Sequence, residues 1–459
     1  MSNVYIGKRA VVIGAGVGGL AAAQALADHF EQVLVFERDR CSTEATPRPG
    51  VPQGRHPHGL LSGGLRALGN LFPNFSASLA QAGARGGDFG LDVQLELPGQ
   101  DALPRRELGI PIFSMTRPLL ETTLLRHVGQ RSNVSFRGGC RVASLFPSSD
   151  GKSVVGVSIE RRDGRREIVL TDFVVDASGR AAPTIDLARS TGRPAFDETV
   201  VGVNVGYSSA VYSISPDAMP DCKALMTMSA PSGRSRAAVM LAREDGLWFV
   251  ALQGRGIDLP PSSNDGFLKF AASLETPTLY NAIKGAKRQG KAVQFAFPES
   301  RRRRFYGLGF PRGLIPIGDS ICRFNPIYGQ GMSIAAQQAV MFRDVLTASA
   351  TKQDPFAVIG KDFISGVEQI IENPWALSVL TDLTYPETDR ERPHNLQQAL
   401  DYQVALHRAA YRDPNIHKLL VEVLSLMKPA SLLNAPDVMQ TILGKTATAR
   451  LNALNLSPG

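Results

Sequence analysis

The chain has 459 residues, of which 43% are hydrophobic and 20% charged, with a net charge of +8 and a sequence pI of about 9.4. That length suits two or three domains with a large core rather than one small domain. The basic residues are spread along the chain and no nucleic-acid-binding motif accompanies them, so a DNA- or RNA-binding role is not expected. No signal peptide precedes the first apolar segment, and no apolar run reaches membrane-spanning length. Cys41, Cys140, Cys222 and Cys322 form no C-x-x-C pair, so free thiols in a cytoplasmic protein are expected.

In chain order, the first feature is AVVIGAGVGGL, Ala10 to Leu20. An apolar strand runs into Gly14, Gly16 and Gly19 in a G-x-G-x-x-G pattern, and a small-residue helix follows to Ala27. Gly14 permits the turn, Gly16 lets a pyrophosphate approach the backbone, and Gly19 lets helix and strand pack closely. The helix N-terminus offers N–H groups and partial positive charge to phosphates. A second strand, Gln32 to Phe36, ends in Glu37, spaced to accept hydrogen bonds from a ribose. The combination predicts an adenine dinucleotide site.

The stretch Cys41 to Pro57 is rich in Pro and Gly and reads as a loop. A helix is expected from near His58 to Leu71, with Leu60, Leu61, Leu65 and Leu68 on one face. Gly86 to Ser114 reads as strands and turns. A helix follows over Arg117 to Gln130, with Thr116 before it and Pro118 in its first turn. From Val134 the pattern is strand-like, including a hairpin around Asp163-Gly164. The last of these strands, Asp172 to Val175, delivers Asp176-Ala-Ser-Gly179-Arg180 into a loop, a second contact point for a ligand at the sheet's carboxyl edge.

Between Leu187 and Phe297, alternating apolar positions in VVGVNVGYSSAVYSI, AAVMLA and LWFVALQ predict an antiparallel sheet with one covered face. Arg301 to Arg304 reads as a solvated strand end, with contact to a phosphate-bearing reductant as the alternative. GLIPIGDS then gives a strand ending in Gly318-Asp319, and NPIYGQGMS gives a turn and a helix starting near Met332. From Pro355 onward the text is helical and carries no chemical motif. Ile416 to Met427 is amphipathic, with core packing as the default reading and a membrane-surface or apolar partner as the alternative. No cluster has metal-ligand spacing.

GAGVGG, DASGR and IGDS…NPIYGQG, in that order, resemble the FAD-dependent monooxygenases of the para-hydroxybenzoate hydroxylase and squalene epoxidase type, over about residues 8 to 350. VPQGRHPHGLL, NPIYGQGMS and ENPWALSVLTDLTYPET look like the bacterial epoxidases of polyene substrates, including those of polyether pathways. The resemblance implies an α/β fold: a Rossmann-like FAD-binding domain, an inserted antiparallel β-sheet substrate domain and a C-terminal helical region. The FAD-binding parts would be residues 1–85, 117–186 and 298–350. Substrate-domain strands would occupy 86–116 and 187–297, and the helical region 351–459.

The same resemblance implies that Gly14, Gly16 and Gly19 cradle the FAD pyrophosphate, that Glu37 holds the adenosine ribose and that Arg38 lies near the adenine. Arg117 would reach the ribityl or phosphate region. Asp176 and Gly179 belong to the middle motif. Their Asp-Ala-Ser-Gly spacing departs from the adjacent Asp-Gly of the hydroxylases, which puts a nicotinamide role there in doubt. Gly318 and Asp319 would bind the ribityl chain, and Gly329, Gln330 and Gly331 the isoalloxazine edge. Arg55, His56, His58, Pro326 and Tyr328 are candidates for lining the site.

The implied activity is insertion of one oxygen atom from O2, through a flavin hydroperoxide, into an electron-rich apolar substrate, with epoxidation of an alkene or polyene in secondary metabolism foremost. Aromatic hydroxylation and prenyl-chain reduction are the alternatives. NAD(P)H would supply electrons directly or through a separate reductase. The partners expected are a small apolar substrate, O2 and that reductase, without nucleic acid and without membrane contact. The hard chemistry would belong to the cofactor.

Overall fold

The computed structural model describes residues 5–97, 99–193, 196–229, 235–305 and 309–444. Its central sheet has five parallel strands in the order Leu314–Pro316, Phe173–Asp176, Gly7–Ile13, Phe30–Glu37 and Val134–Gly138. Gly7–Ile13 sits in the middle, and its continuous apolar text reflects burial on both faces. Ala10 and Val12 pack with the helices Val17–Ala27 and Gly331–Ser349. Val11 and Ile13 face the other way, onto a three-stranded antiparallel sheet made of Cys140–Pro147, Val154–Arg161 and Arg166–Leu170. The two-residue period of the strand thus assigns alternate side chains to two separate cores.

A second, seven-stranded sheet runs in the order Cys322–Arg323, Lys287–Arg304, Asp197–Ser213, Trp248–Arg255, Ala237–Ala242, Ala224–Thr227 and Val93–Glu96. All its pairings are antiparallel except the last. The helices Asn264–Ala272 and Thr278–Ile283 cover one face through Phe267, Phe270, Leu279 and Ile283, which pack on Tyr212, Val250 and Leu252. The long helix Phe356–Asp382 packs Ile359, Phe363, Val367 and Ile371 into the main core. Three further helices, Leu396–Arg412, Pro414–Leu424 and Pro436–Leu443, form a smaller cluster around Leu406, Ala410 and Ile416. Ile416 and Val421 on the amphipathic helix are buried in packing within the chain.

Three sequence expectations are corrected. The helix expected from His58 begins at Ser62, because Gly59 and Leu60 pair with Ser114 and Phe113 as a short strand. Pro57 disfavours helical backbone at His56, which is extended with ψ of 160°. Of the segment 86–116, Val93–Glu96 joins the seven-stranded sheet, whereas Pro111–Ser114 pairs with Gly59–Leu60 and Arg85–Asp88 in a separate one.

The run Arg301 to Arg304 is no solvated face. It lies in the strand Lys287–Arg304, with Arg302 1% and Arg303 8% exposed. Arg302 binds Glu368 and, at 2.6 Å, Glu372, both on the helix Phe356–Asp382. Arg303 binds Glu198 at 3.0 Å, and Arg301 binds Glu198 and Glu299. Buried cations require such partners. Carboxylates engage the guanidinium groups of Arg301, Arg302 and Arg303, which the alternative reading offered to a phosphate, and Arg304 bonds the Thr199 hydroxyl.

Among the described residues, no helix is long and apolar enough to cross a membrane.

Candidate active-site cleft

The loops at the carboxyl edge of the parallel sheet converge. The turn after Gly7–Ile13 runs against the DASGR loop so closely that a Cβ on Gly14, whose φ is +98°, would lie 2.8 Å from the Ala177 carbonyl oxygen. A Cβ on Gly19 would lie 1.9 Å from the Gly14 carbonyl oxygen, so the helix can reach the strand only with glycine there. Gly16 is different. The nearest atoms to an added Cβ are Arg117 Nη2 at 3.8 Å and Glu121 Oε1 at 3.9 Å, which leaves its backbone open to a ligand. No side chain caps the helix Val17–Ala27 and its first turn holds no acid, so its N-terminal N–H groups remain available to an anion.

A chain of alternating charges lines this end. Glu37 is buried, and its Oε2 accepts the Ala15 N–H at 2.8 Å and faces Arg48 at 3.0 Å. Among the described residues, Glu37 Oε1 accepts the Asp39 N–H alone, at 3.0 Å, and keeps a lone pair for a further donor. Arg48 also binds Glu121 at 2.6 Å, and Glu121 binds Arg117 Nε at 2.9 Å. Arg117 opens the helix Arg117–Gly129, capped by Thr116, whose hydroxyl accepts the Leu119 N–H. Two carboxylates and two guanidinium groups cancel locally, and one face of Arg117 is turned to Gly16.

Asp319 follows the strand Leu314–Pro316. The adjoining Gly318 N–H donates to Gln338 Oε1 at 2.7 Å, and Ser320 Oγ accepts the Gly179 N–H at 3.1 Å, which ties this turn to the DASGR loop. The Asp319 carboxylate caps no helix and takes no hydrogen bond from the described residues. It lies 3.6 Å from where a Cβ on Gly331 would sit, at the N-terminus of the 19-residue helix Gly331–Ser349. Burial pushes its carboxyl above the ordinary range, while Arg117, Arg323 and Arg303 pull the other way.

Asp319 is nevertheless exposed, and His58, Tyr207 and Tyr328 are half-buried, although each lies deep in the protein. Each thus keeps accessible surface in a largely desolvated surrounding, as the lining of a recess does. The seven-stranded sheet supplies the facing wall with Tyr207 and Phe295, whose centroids are 6.4 Å apart, and His56, from the loop after Pro52–Arg55, stacks on Phe295 at 5.4 Å. His58 Nδ1 lies 2.8 Å from the His56 carbonyl oxygen, which can only accept, so Nδ1 carries the proton. Burial, with a smaller push from Arg117, lowers the His58 pKa to about 3, and burial lowers that of His56 to about 4. Both imidazoles are therefore neutral near pH 7, and His58 Nε2 is a lone-pair acceptor.

The fold thus brings together Gly14, Gly16, Gly19, Glu37, Arg117, Gly179, Gly318, Asp319 and Gly331, with Gly329 beside the Gly59 carbonyl. Others stand apart. Asp176 is fully buried behind its loop, with Oδ1 accepting the Ser178 N–H and Oδ2 the Thr184 hydroxyl and N–H. It organises the DASGR turn and, contrary to expectation, its carboxylate is fully buried rather than open to the cleft. Arg38 turns to the Gly50 carbonyl at 2.5 Å, and the Gln330 side chain accepts from Ser378. Arg55 and Pro326 are exposed.

Arg48 and Glu121 escaped the sequence reading; the one signal was Glu121 four residues after Arg117 on a helix.

The donor set fits an elongated ligand with an anionic centre. Gly16 and Arg117 would meet the anion, Glu37 a hydroxyl at one end, and Asp319 a hydroxyl on the other side. The model of the NAD(P)-binding Rossmann-like domain family matches residues 12–62. The flavin-dependent brominase Bmp2 shares the fold with a TM-score of 0.67 at 16% identity, over 98% of this chain and 100% of that one. PqsL from Pseudomonas aeruginosa, described as a probable FAD-dependent monooxygenase, aligns with a TM-score of 0.58 at 15% identity, over 82% of this chain and 97% of its own. Protein Rv3254 of Mycobacterium tuberculosis is 32% identical over 397 residues, which cover 83% of this chain and 81% of that protein. With the shared fold and that extent of identity, the chain belongs to the family of Protein Rv3254.

Proposed function

We propose that the protein is an FAD-dependent monooxygenase that transfers one oxygen atom of O2 to an uncharged, electron-rich substrate. The observation that carries this reading is the convergence of Gly16, Arg117 and Asp319 on one cleft at the carboxyl edge of the parallel sheet. Neighbours in fold described as a flavin-dependent brominase and a probable FAD-dependent monooxygenase support it. Bound FAD, once reduced, would supply the activation of O2. NAD(P)H is the proposed electron source, directly or through a reductase.

The protein's own groups have separate tasks. Arg117 and the N-terminus of Val17–Ala27 hold the diphosphate. Glu37 and Asp319 accept hydrogen bonds from sugar and ribityl hydroxyls. The N-terminus of Gly331–Ser349 favours negative charge on the adjoining ring system, by about 0.3–1 kcal/mol. Tyr207, Phe295 and His56 provide an aromatic, uncharged wall that holds an apolar substrate and keeps water out. Epoxidation of an alkene or polyene is the leading reaction, and hydroxylation of an arene is favoured second by that aromatic wall.

The test is oxygen uptake by the FAD-loaded protein with NADPH, or with a flavin reductase, across polyene and phenolic compounds in 18O2. Substrate-dependent uptake with one labelled oxygen in the product is expected. Substrate reduction without oxygen uptake would overturn the proposal.

A further inference from the structure

The sequence motif ENPWALSVLTDLTYPET ends the long helix, and its Asp382 reaches the cleft wall from behind. Asp382 is 0% and Arg255 1% exposed, and Arg255 Nη2 lies 2.8 Å from Asp382 Oδ1. The same oxygen accepts Asn325 Nδ2 and the Tyr328 hydroxyl, both at 2.9 Å. Asn325 Oδ1 in turn accepts the Tyr207 hydroxyl at 3.1 Å and the Ile327 N–H at 3.3 Å. The Arg255 guanidinium also stacks on Tyr385, 4.0 Å from its centroid.

These bonds have a forced direction. A carboxylate paired with arginine can only accept, so Tyr328 and Asn325 Nδ2 must donate to Asp382. That orients the amide, so Asn325 Oδ1 accepts and Tyr207 must donate to it. Both phenol protons are therefore committed to the protein, so a further hydrogen bond to either phenol oxygen must be donated by the ligand. Burial raises the pKa of both tyrosines, which keeps those protons in place. His58 Nε2 is an acceptor by the independent argument of its tautomer.

We propose that the buried Arg255–Asp382 pair sets the hydrogen-bond polarity of this wall, so that the cleft selects uncharged ligands carrying an O–H or N–H donor over their ethers, esters or carboxylates. The inference rests on the reading of this cleft as a substrate site. Asp382 is a positioning residue, acting through Tyr328 and Asn325. An ion pair this deep contributes little to net stability, and Asp382 Oδ2 and Arg255 Nε are buried without a hydrogen-bond partner among the described residues. Direction, rather than strength, is what the pair supplies.

Matched ligands test it: 1-naphthol, 1-methoxynaphthalene and 1-naphthoate, titrated calorimetrically into the FAD-loaded protein and into the protein as purified. Wild type should bind naphthol about tenfold more tightly than the ether, the worth of one well-made hydrogen bond, and naphthoate more weakly than either. Asp382→Asn, whose amide can donate to Tyr328, should reduce the naphthol-to-ether ratio to about threefold or less. Tyr328→Phe should do the same with the buried pair intact, which covers the case of an Asp382 variant that fails to fold. Equal affinities in wild type, no binding of any of the three, or an unchanged ratio in the variants would overturn the inference. Failure to take up FAD would instead overturn the proposed function, because the ligand titration is read with and without the cofactor.

Discussion

The two walls of the cleft are built in opposite ways. The wall at the parallel sheet's edge leaves polar groups open: the Gly16 backbone, one face of Arg117, and an Asp319 carboxylate without a hydrogen bond from the described residues. The wall at the seven-stranded sheet ties its polar groups to one another: Tyr207, Asn325, Tyr328, Asp382 and Arg255 form one network. Open groups in a cleft fit a permanent, charged cofactor that supplies the missing partners. A closed network fits a transient, uncharged ligand that must find the wall already arranged. The contrast teaches that charge left open serves binding on one side, and charge buried in a pair serves orientation on the other.

The strongest way to break the comparison is Arg255→Met. It leaves Asp382 charged and unpaired at 0% exposure, and a cost of about 3–5 kcal/mol is expected in denaturant unfolding. The double variant Arg255→Met/Asp382→Leu should recover most of that loss and still lack the naphthol preference. A fully stable Arg255→Met protein would contradict the closed character of this wall.

On the other side, Gly19→Ala places a Cβ 1.9 Å from a backbone carbonyl, and a loss of about 1–3 kcal/mol is expected together with weaker FAD uptake. Asp319→Ala removes an exposed carboxylate that takes no hydrogen bond from the described residues. Its melting temperature should stay near wild type while FAD affinity falls about tenfold or more. Unchanged flavin occupancy would place the cofactor elsewhere.

The smallest effect sharpens the contrast through pH. His56 and His58 have folded-state pKa values of about 4 and 3, below the value of about 6.5 for an unfolded histidine. As pH falls through 6.5 the unfolded chain takes up protons that the folded one excludes. The stability these groups confer is therefore full above about pH 6.5 and declines toward pH 4. A melting series from pH 7.5 to 5 should show this decline, and His58→Gln should make it shallower.

The open wall was largely legible in the sequence. Gly14, Gly16, Gly19 and Glu37 lie within one strand–turn–helix–strand unit, where spacing alone fixes geometry. Arg117 and Asp319 sit immediately after turns or strands that the pattern also marks. The closed wall was not legible, because its parts meet only in three dimensions: Arg255 and Asp382 are 127 positions apart, and Tyr207 and Asn325 are 118.

The same physics explains the misread arginine run. Local text shows four like charges, while the acids that bury Arg302 and Arg303 lie 66 to 105 positions away. Asp176 was misassigned for a related reason: its motif position suggested a ligand, but Thr184, on the following helix, takes up its carboxylate. Pairing of Gly59–Leu60 with a strand more than fifty residues later displaced the helix start from His58 to Ser62, where leucine periodicity alone gave no warning.

The most direct measurement of the central claim is a titration of the purified wild-type protein with FAD, followed by visible absorbance and by calorimetry. One FAD per chain, with a perturbed flavin spectrum that Asp319→Ala weakens, is the result expected. A folded protein that takes up no FAD, or takes it up equally well without the Asp319 carboxylate, would contradict it.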